Sequence, residues 1–468
     1  PICVTPASPS GGTGASWSAD GRIVFALGAR GLFEVSAAGG DAREIVPIDS
    51  TSSDFHEPLF VPGGKAVCFI KHRRVEGPDT FAIYDGKTLR DLLQIPDAYL
   101  GRPALSPSGH LLFHRFGGNS GLWALPFSVE TLKATGDPFL VATDGTIPSV
   151  TKDGKLLYSR GSLSRALRAV WVDRSGAVVD TLSEEFEDAT EMVLSPDRRR
   201  AAMVALDAGN RDIWVIDLER HTKTRITFDR AFDNAPTWGP DGQEIYYASS
   251  AGGIVQTGAF AMIGDVHIFA TSSRGGGTPR LVCAGYAPAV SPEGSWLAYV
   301  KRSEKTDEDI FIKPLSSSEE GTPIVQGPSD QNRPDFEPSG RFMTYSSEES
   351  GRLEIYITRV PTGEGRWQAS VNGGRRPRWS PTGDRLYFQS LDSNTLLEVD
   401  VTLGEVPTLG TPRVVLDMVK SSLKTWGGCN FDVDSANRFL ALMFPPNLSE
   451  QGNVIVVENW ATEFAKKN

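Results

Sequence analysis

The sequence predicts an all-β chain of about ten four-stranded units, arranged as the blades of a β-propeller. Three observations predict it. A Ser-Pro-Asp-Gly-type turn motif recurs along the whole 468-residue chain at about 45-residue intervals. Each interval reads as four short strands, and units of 40–50 residues with four strands fall in the range of propeller blades. Gly (48) and Pro (31) are in surplus, as expected of many short elements joined by tight turns.

The first copy of the motif is Trp17-Ser18-Ala19-Asp20-Gly21-Arg22, followed by Ile23-Val24-Phe25. Relatives read LFVPGGKAVCF (59–69), ALSPSGHLLF (104–113), SVTKDGKLLY (149–158) and VLSPDRRRAAMV (193–204). Further copies are TWGPDGQEIYY (237–247), AVSPEGSWLAYV (289–300), DFEPSGRFMTY (335–345), RWSPTGDRLYF (378–388) and the degenerate FDVDSANRFLAL (431–442). The last turn position falls at Gly21, Gly64, Gly109, Gly154, Arg198, Gly242, Gly294, Gly340, Gly383 and Asn437. Within a unit, a first strand enters the turn. Pro presets φ, Asp caps the turn and Gly accepts a positive φ. A β-branched and aromatic second strand follows. Third strands read GLFEVSA (31–37), TFAIYDG (80–86), DIWVIDL (212–218), DIFIKPL (309–315) and LEIYITR (353–359). Fourth strands read REIVPI (43–48), TRITF (224–228), PRLVCA (279–284) and PRVVLD (412–417).

The ends suggest how the repeat closes. The tenth unit offers CNFDVD, RFLALMF and NVIVVENW as its first three strands, and PICVTP at residues 1–6 resembles a fourth. Residues 1–6 are therefore expected to complete the last blade and to protect open sheet edges. A single domain over 1–468 is the favoured reading. Two smaller propellers, divided near the long 242–294 interval, are the alternative. Residues 252–266 read as a loop insertion in a blade.

The repeat resembles the TolB-like, WD-repeat-like propeller family over nearly the whole chain. Residues 14–46 and 453–468 are similar to the propeller region that follows the kinase domain in some bacterial membrane-anchored serine/threonine kinases. That resemblance implies a sensor or interaction domain on the periplasmic or extracellular side. No kinase signature accompanies it: a Gly-rich loop with its strand Lys, HRD and DFG are all absent.

A net charge of −11 disfavours nucleic acid as a partner. No apolar run reaches 18 residues, so direct membrane insertion of this chain is not expected. The sequence shows no signal peptide and begins at Pro1, and it reads as a processed protein or an excised piece. Cys3, Cys68, Cys283 and Cys429 form no CxxC pair, and the six histidines form no HExxH. His110 and His114 lie about 13 Å apart along a strand, too far for joint ligation. Asp432, Asp434 and Asn437 read as a degenerate turn in preference to a calcium loop. No G-x-S-x-G occurs; the nearest stretch, 117–121, lacks the spacing. Neither cofactor, metal nor catalytic residue is therefore expected. Trp17, Trp238 and Trp379 precede the turn at one repeat position, and with Trp171 and Trp214 they read as core between blades.

Function is expected where each fourth strand passes to the next first strand. Those connections read DFHEP (54–58), LGRPA (100–104), FEDATE (186–191), FDNAP (232–236), GYAP (285–288), DQNRP (330–334) and NGGRRP (372–377). As loops converging on one axial mouth they offer Glu57, Arg102, Asp233, Asn234, Asn332, Arg333, Arg375 and Arg376, with Trp426 nearby. Arg375, Arg376 and Arg378 suit a carboxylate, held by forked hydrogen bonds. The bland alternative is that these groups solvate the funnel and pair with one another. Glu184, Glu185, Glu187 and Asp188 read as a solvated acidic loop. The expected function is a non-catalytic binding or sensor propeller for a protein, a peptide or a small polar ligand. A scaffold that self-associates through blade edges and an enzyme with its site in the channel are the alternatives.

Overall fold

The computed structural model describes residues 14–27, 31–49, 52–73, 79–95, 98–117, 120–143, 145–160, 166–207, 210–229, 231–250, 256–257, 261–262, 266–303, 307–425, 428, 430–445 and 453–464. Antiparallel strands account for more than half of them, and helix for only the short segment Trp460–Phe464. The expected closing strand at 1–6 lies outside the described residues, as do Trp426 and most of the 252–266 insertion.

All ten turn positions take positive φ, from 58° at Arg198 and Asn437 to 86° at Gly154. Each donates its N–H to the carbonyl three residues earlier, as Gly242 does to Gly239 at 3.0 Å and Arg198 to Ser195 at 2.8 Å. Glycine meets that conformation without steric cost, and Asn tolerates it. The residue after the turn carries a second function. Arg22 donates to the Gly64 carbonyl at 2.6 Å and Arg200 to the Gly242 carbonyl at 2.7 Å, in each case the turn residue of the next sheet. Arg385 reaches the Asn437 side chain at 3.2 Å in the same way. The Arg200 guanidinium also lies 4.8 Å from the Trp238 ring centroid. Arg200→Ala should therefore cost about 1–2 kcal/mol, a hydrogen bond to a charged group plus a cation–π contact. Urea unfolding monitored by tryptophan fluorescence reads this, and an unchanged midpoint would remove the clamp from the account.

The chain divides into two compact units. One holds residues 1–164 and 450–468 with a short piece at 253–257, and the other holds most of 165–449. The division thus falls after the fourth repeat's second strand, not near the long 242–294 interval.

The first unit has four sheets among the described residues. Two have four strands in chain order: Ala15–Trp17, Arg22–Ala26, Leu32–Ser36 and Arg43–Val46, then Ser52–Phe60, Val67–Arg73, Thr80–Tyr84 and Leu89–Gln94. The third runs Ala98–Ser106, His110–Gly117, Gly121–Ser128, with Lys133–Ala134 and Phe139–Ala142 both pairing to its third strand. In the fourth, Gly145–Val150 and Leu156–Arg160 are joined by Asn453–Val457, with Leu156 opposite Val457 and Arg160 opposite Asn453. NVIVV is therefore a third strand, but of the fourth repeat and not of the tenth. Trp460, in the short helix Trp460–Phe464, is buried with Leu112, Leu122, Leu156 and Tyr158, and this anchors the returning segment.

The second unit has six groups of four or five strands among the described residues, two of them joined into one eight-stranded sheet. Five follow the chain and begin with the first strands Phe186–Leu194, Asp233–Trp238, Tyr286–Val290, Gln331–Phe336 and Arg375–Trp379. The sixth joins distant parts of the sequence: Phe431–Val433 and Phe439–Met443 pair onto Ala166–Val172, which pairs onto Val178–Thr181. Ala166–Val172 also pairs with the start of Phe186–Leu194. The first strands adjoin in turn, and Arg375–Trp379 adjoins Phe431–Val433, which adjoins Phe186–Leu194, so their order is cyclic. Apolar side chains fill the spaces between successive sheets. Ala202, Val204, Ile213 and Val215 of one sheet meet Trp238, Ile245 and Tyr247 of the next. Each buried Val or Ile there contributes roughly 1.5–3 kcal/mol relative to exposure.

The tryptophans largely follow the expected pattern. Trp238, Trp379 and Trp171 are buried, and Trp214 packs against the core. Trp17 is the exception at 68% exposed. Trp238 is covered by the preceding sheet, donating to the Val193 carbonyl at 3.1 Å. The sheet of Trp17 is the first among the described residues.

Candidate ligand-binding site on the first strands

The segments expected as loops are not loops. They form the first strands themselves, each broken by a bulge. Register shifts occur between His56 and Leu59, Thr146 and Ser149, Asn234 and Thr237, Tyr286 and Ala289, Asn332 and Asp335, and Arg375 and Arg378. At the bulges Glu57, Arg102, Ile147, Glu191, Ala235, Ala287, Arg333 and Arg376 all take positive φ, between 48° and 59°. Left-handed backbone costs a non-glycine residue about 1 kcal/mol or more and persists only where surrounding structure imposes it. In seven of these eight the next residue is proline, which lacks the N–H that an unbroken ladder needs. A bulge re-aims the side chain it carries. The repeat thus places one redirected side chain per sheet at equivalent places.

The expected site residues fall in both units. In the first, Glu57 accepts from the Arg102 backbone N–H and lies 3.5 Å from its Nε. Arg333, Arg375, Arg376, Asn332, Asn234 and Asp233 belong to the second unit. Arg376 donates from Nη1 to Gln389 Oε1 at 3.0 Å and to the Thr425 carbonyl at 3.2 Å. Arg375 reaches Ser393 Oγ at 3.3 Å, and Arg378 stands 3.4 Å from Asp335. Asn234 turns its side-chain oxygen onto the N–H of Ala235 at 2.9 Å, which stabilises the bulge. Asn234, Asn332, Arg333, Arg375 and Arg376 are all partly exposed, whereas Asp233 is fully buried.

Two groups escaped the sequence reading. Glu191, the bulge residue of Phe186–Leu194, accepts from Arg333 Nη1 on both carboxylate oxygens, at 2.8 and 2.9 Å. Asp188, read as part of a solvated acidic loop, is buried and bound by Arg211 and by Lys424 Nζ at 3.2 Å. Lys424 is itself fully buried and also donates to the Ala189 carbonyl at 2.8 Å. Its acidic neighbours Glu184, Glu185 and Glu187 are exposed as expected.

A second repeated acid also went unread. Asp79, Asp212, Asp309 and Glu354 stand at or near the start of third strands and are fully buried. Asp79 accepts from His72 Nδ1 at 2.6 Å and from the Leu100 N–H of the next sheet at 2.9 Å. Glu354 accepts from the Gly373 N–H at 3.0 Å. Asp79 and Glu354 thus hold the connection to the following sheet. The signal was available in the recurring Asp/Glu ahead of an apolar third strand.

Burial pushes the Cys68 thiol up to about 12 and that of Cys283 up to about 11, where thiolate is scarce. Among the described residues no group of three His, Cys, Asp or Glu side chains is placed to hold a metal ion. Asp432 and Asp434 serve the backbone, with Asp434 accepting from Ala436 and Arg438 N–H groups in the turn. Among the described residues no helix is long and apolar enough to cross a membrane.

No protein-family profile matches the chain. An uncharacterized protein of Agrobacterium fabrum is 29% identical over 221 residues, which cover 37% of this chain and 75% of that protein. Among solved structures, a putative TolB from Agrobacterium tumefaciens is 19% identical with a TM-score of 0.45, covering 60% of this chain and 99% of its own. TolB from Acinetobacter baumannii is 15% identical with a TM-score of 0.31, covering 86% and 82%. These likenesses show nothing about a kinase-linked propeller.

Proposed function

We propose that this chain is a non-catalytic binding protein of the β-propeller type, and that the six sheets of the second unit form a ring whose first strands take a polypeptide bearing carboxylates. One observation carries the reading. The bulges bring Arg333, Arg375 and Arg376 to partly exposed places on neighbouring first strands, flanked by Asn332. Guanidinium forks suit carboxylates, and amide side chains suit the peptide backbone. The repeats supply similar strands and turns, so only the bulge side chains differ enough between sheets to select a ligand. A place outside the cytoplasm and a sensory role beside a kinase follow from the sequence resemblance of 14–46 and 453–468.

The test is panning of a random-peptide display library against the purified chain. Acidic peptides should be enriched, and Arg375→Ala with Arg376→Ala should weaken their binding at least about tenfold. The thermal midpoint of the variant is the control for folding. Unchanged affinity in a folded variant would remove these arginines from the site.

A further inference from the structure

Glu191 and Arg333 stand on first strands three places apart in the cyclic order of six, so their ion pair spans the middle of the second unit. The Glu191 carboxylate is seated with care. Its backbone is held at φ 59°, with the N–H donated to Asn430 Oδ1 at 3.2 Å. Gly428 lies directly beneath it: a Cβ there would fall 2.4 Å from Oε1, and Gly428 itself has φ +119°. Any other residue at 428 would displace the carboxylate and strain the backbone. Glu191 is 5% exposed, whereas the Arg333 side chain keeps about a third of its surface open. The seat is thus a carboxylate-sized place with a glycine floor and a guanidinium at its open side, filled by the protein's own side chain.

We propose that Glu191 is an internal stand-in for a ligand carboxylate, and that a carboxylate ligand binds by displacing it from Arg333. The inference rests on the binding reading above and deepens it, since it names the group that the ligand must present. Displacement exchanges one Arg–carboxylate pair for another, so charge balance at Arg333 is kept. The released Glu191 side chain must move toward solvent, and the price is weak intrinsic affinity. Only ligands with further contacts to Arg375 and Arg376 overcome it, which makes the internal pair a filter against free small carboxylates.

Chemical rescue tests the seat without any peptide. In Glu191→Ala, sodium acetate should raise the thermal midpoint of the second unit by at least about 3 °C over sodium chloride at equal ionic strength. The wild-type chain and the Glu191→Ala/Arg333→Met double variant should show no acetate-specific rise. An absent effect in Glu191→Ala, or an equal one in the double variant, overturns the proposal. If Glu191→Ala does not fold, Glu191→Gln keeps the shape and removes the charge. It should then bind acetate at least about tenfold more tightly than wild type by calorimetric titration, and equal affinity overturns the proposal. A failed peptide panning with a successful rescue would sink the polypeptide reading and leave the seat intact. The reverse result would remove the seat alone.

Discussion

Replacing Asp188 by alanine should destabilise the second unit by about 3–5 kcal/mol, the cost of breaking a buried ion pair by removing one partner. Asp188 is 1% exposed and Lys424 is fully buried, and the Arg211 side chain is nearly so. Both cations lose the carboxylate that faces them, and neither is placed to recover full hydration. The effect should exceed that of any exposed pair in the molecule, such as Arg280 with Glu244, whose removal should cost under about 1 kcal/mol. The three residues also tie separate parts of the unit together. Asp188 opens the first strand that carries Glu191, Arg211 lies in the same sheet's third strand, and Lys424 precedes Phe431–Val433. Loss of the triad should therefore loosen the Glu191 seat as well as the fold. Differential scanning calorimetry of wild type and Asp188→Ala reads the first effect. A lowered midpoint with unaltered acetate behaviour in the Glu191→Ala background would separate the triad from the seat. A variant as stable as wild type would show that the cations find equivalent partners.

How much of this was legible in the sequence depended on whether local chemistry or tertiary context decides a residue's place. The ten turns were readable because each needs a positive φ, and in all but Arg198 a Gly or Asn announces it. The third and fourth strands were readable from β-branched runs such as DIWVID and RVVLD. The bulges were misread because proline usually signals a loop. Here Pro58, Pro103, Pro236 and Pro334 sit inside strands, at the one place where the ladder is already broken. Asp188 could not be told from Glu184, Glu185 and Glu187 because its partner Lys424 lies 236 residues away. Sequence separation likewise hid the pairing of Glu191 with Arg333, 142 residues apart. The division into two units was hidden because NVIVV fits any third-strand slot; its pairing with Leu156–Arg160 is set by Trp460 packing, not by the strand's own pattern. The sequence set Arg333, Arg375 and Arg376 at one repeat position in loops, and the structure places them instead at the bulges of first strands.

Asp233 should make the second unit less stable as pH rises from about 4 to 8. Its carboxyl is fully buried at the start of a first strand, and neither oxygen has a hydrogen-bond partner of good geometry. Burial pushes its pKa up to about 8, and the nearby Asp229 and Asp212 carboxylates add to the rise, while the Ser249 and Thr227 hydroxyls oppose it. Asp212 is raised in turn to about 6 by burial, against the pull of Arg225 at 2.8 Å. In the unfolded chain Asp233 titrates near the ordinary aspartate value. Between that value and 8 the folded state keeps a proton that the unfolded state has released. Stability therefore falls with rising pH, by up to about 1.4 kcal/mol per unit from this one group. The contribution is complete below about pH 4 and is lost above about pH 8. Asp233→Asn mimics the protonated form at every pH. It should leave stability near pH 4 unchanged and raise it at pH 8 by on the order of 4 kcal/mol. Urea unfolding across this range, followed for both proteins, checks the slope directly. Parallel pH profiles for wild type and Asp233→Asn would show that Asp233 is already ionised at neutral pH. That outcome would mean that the buried carboxylate is held charged, despite the repulsion of Asp229 and Asp212, by groups that this account does not include.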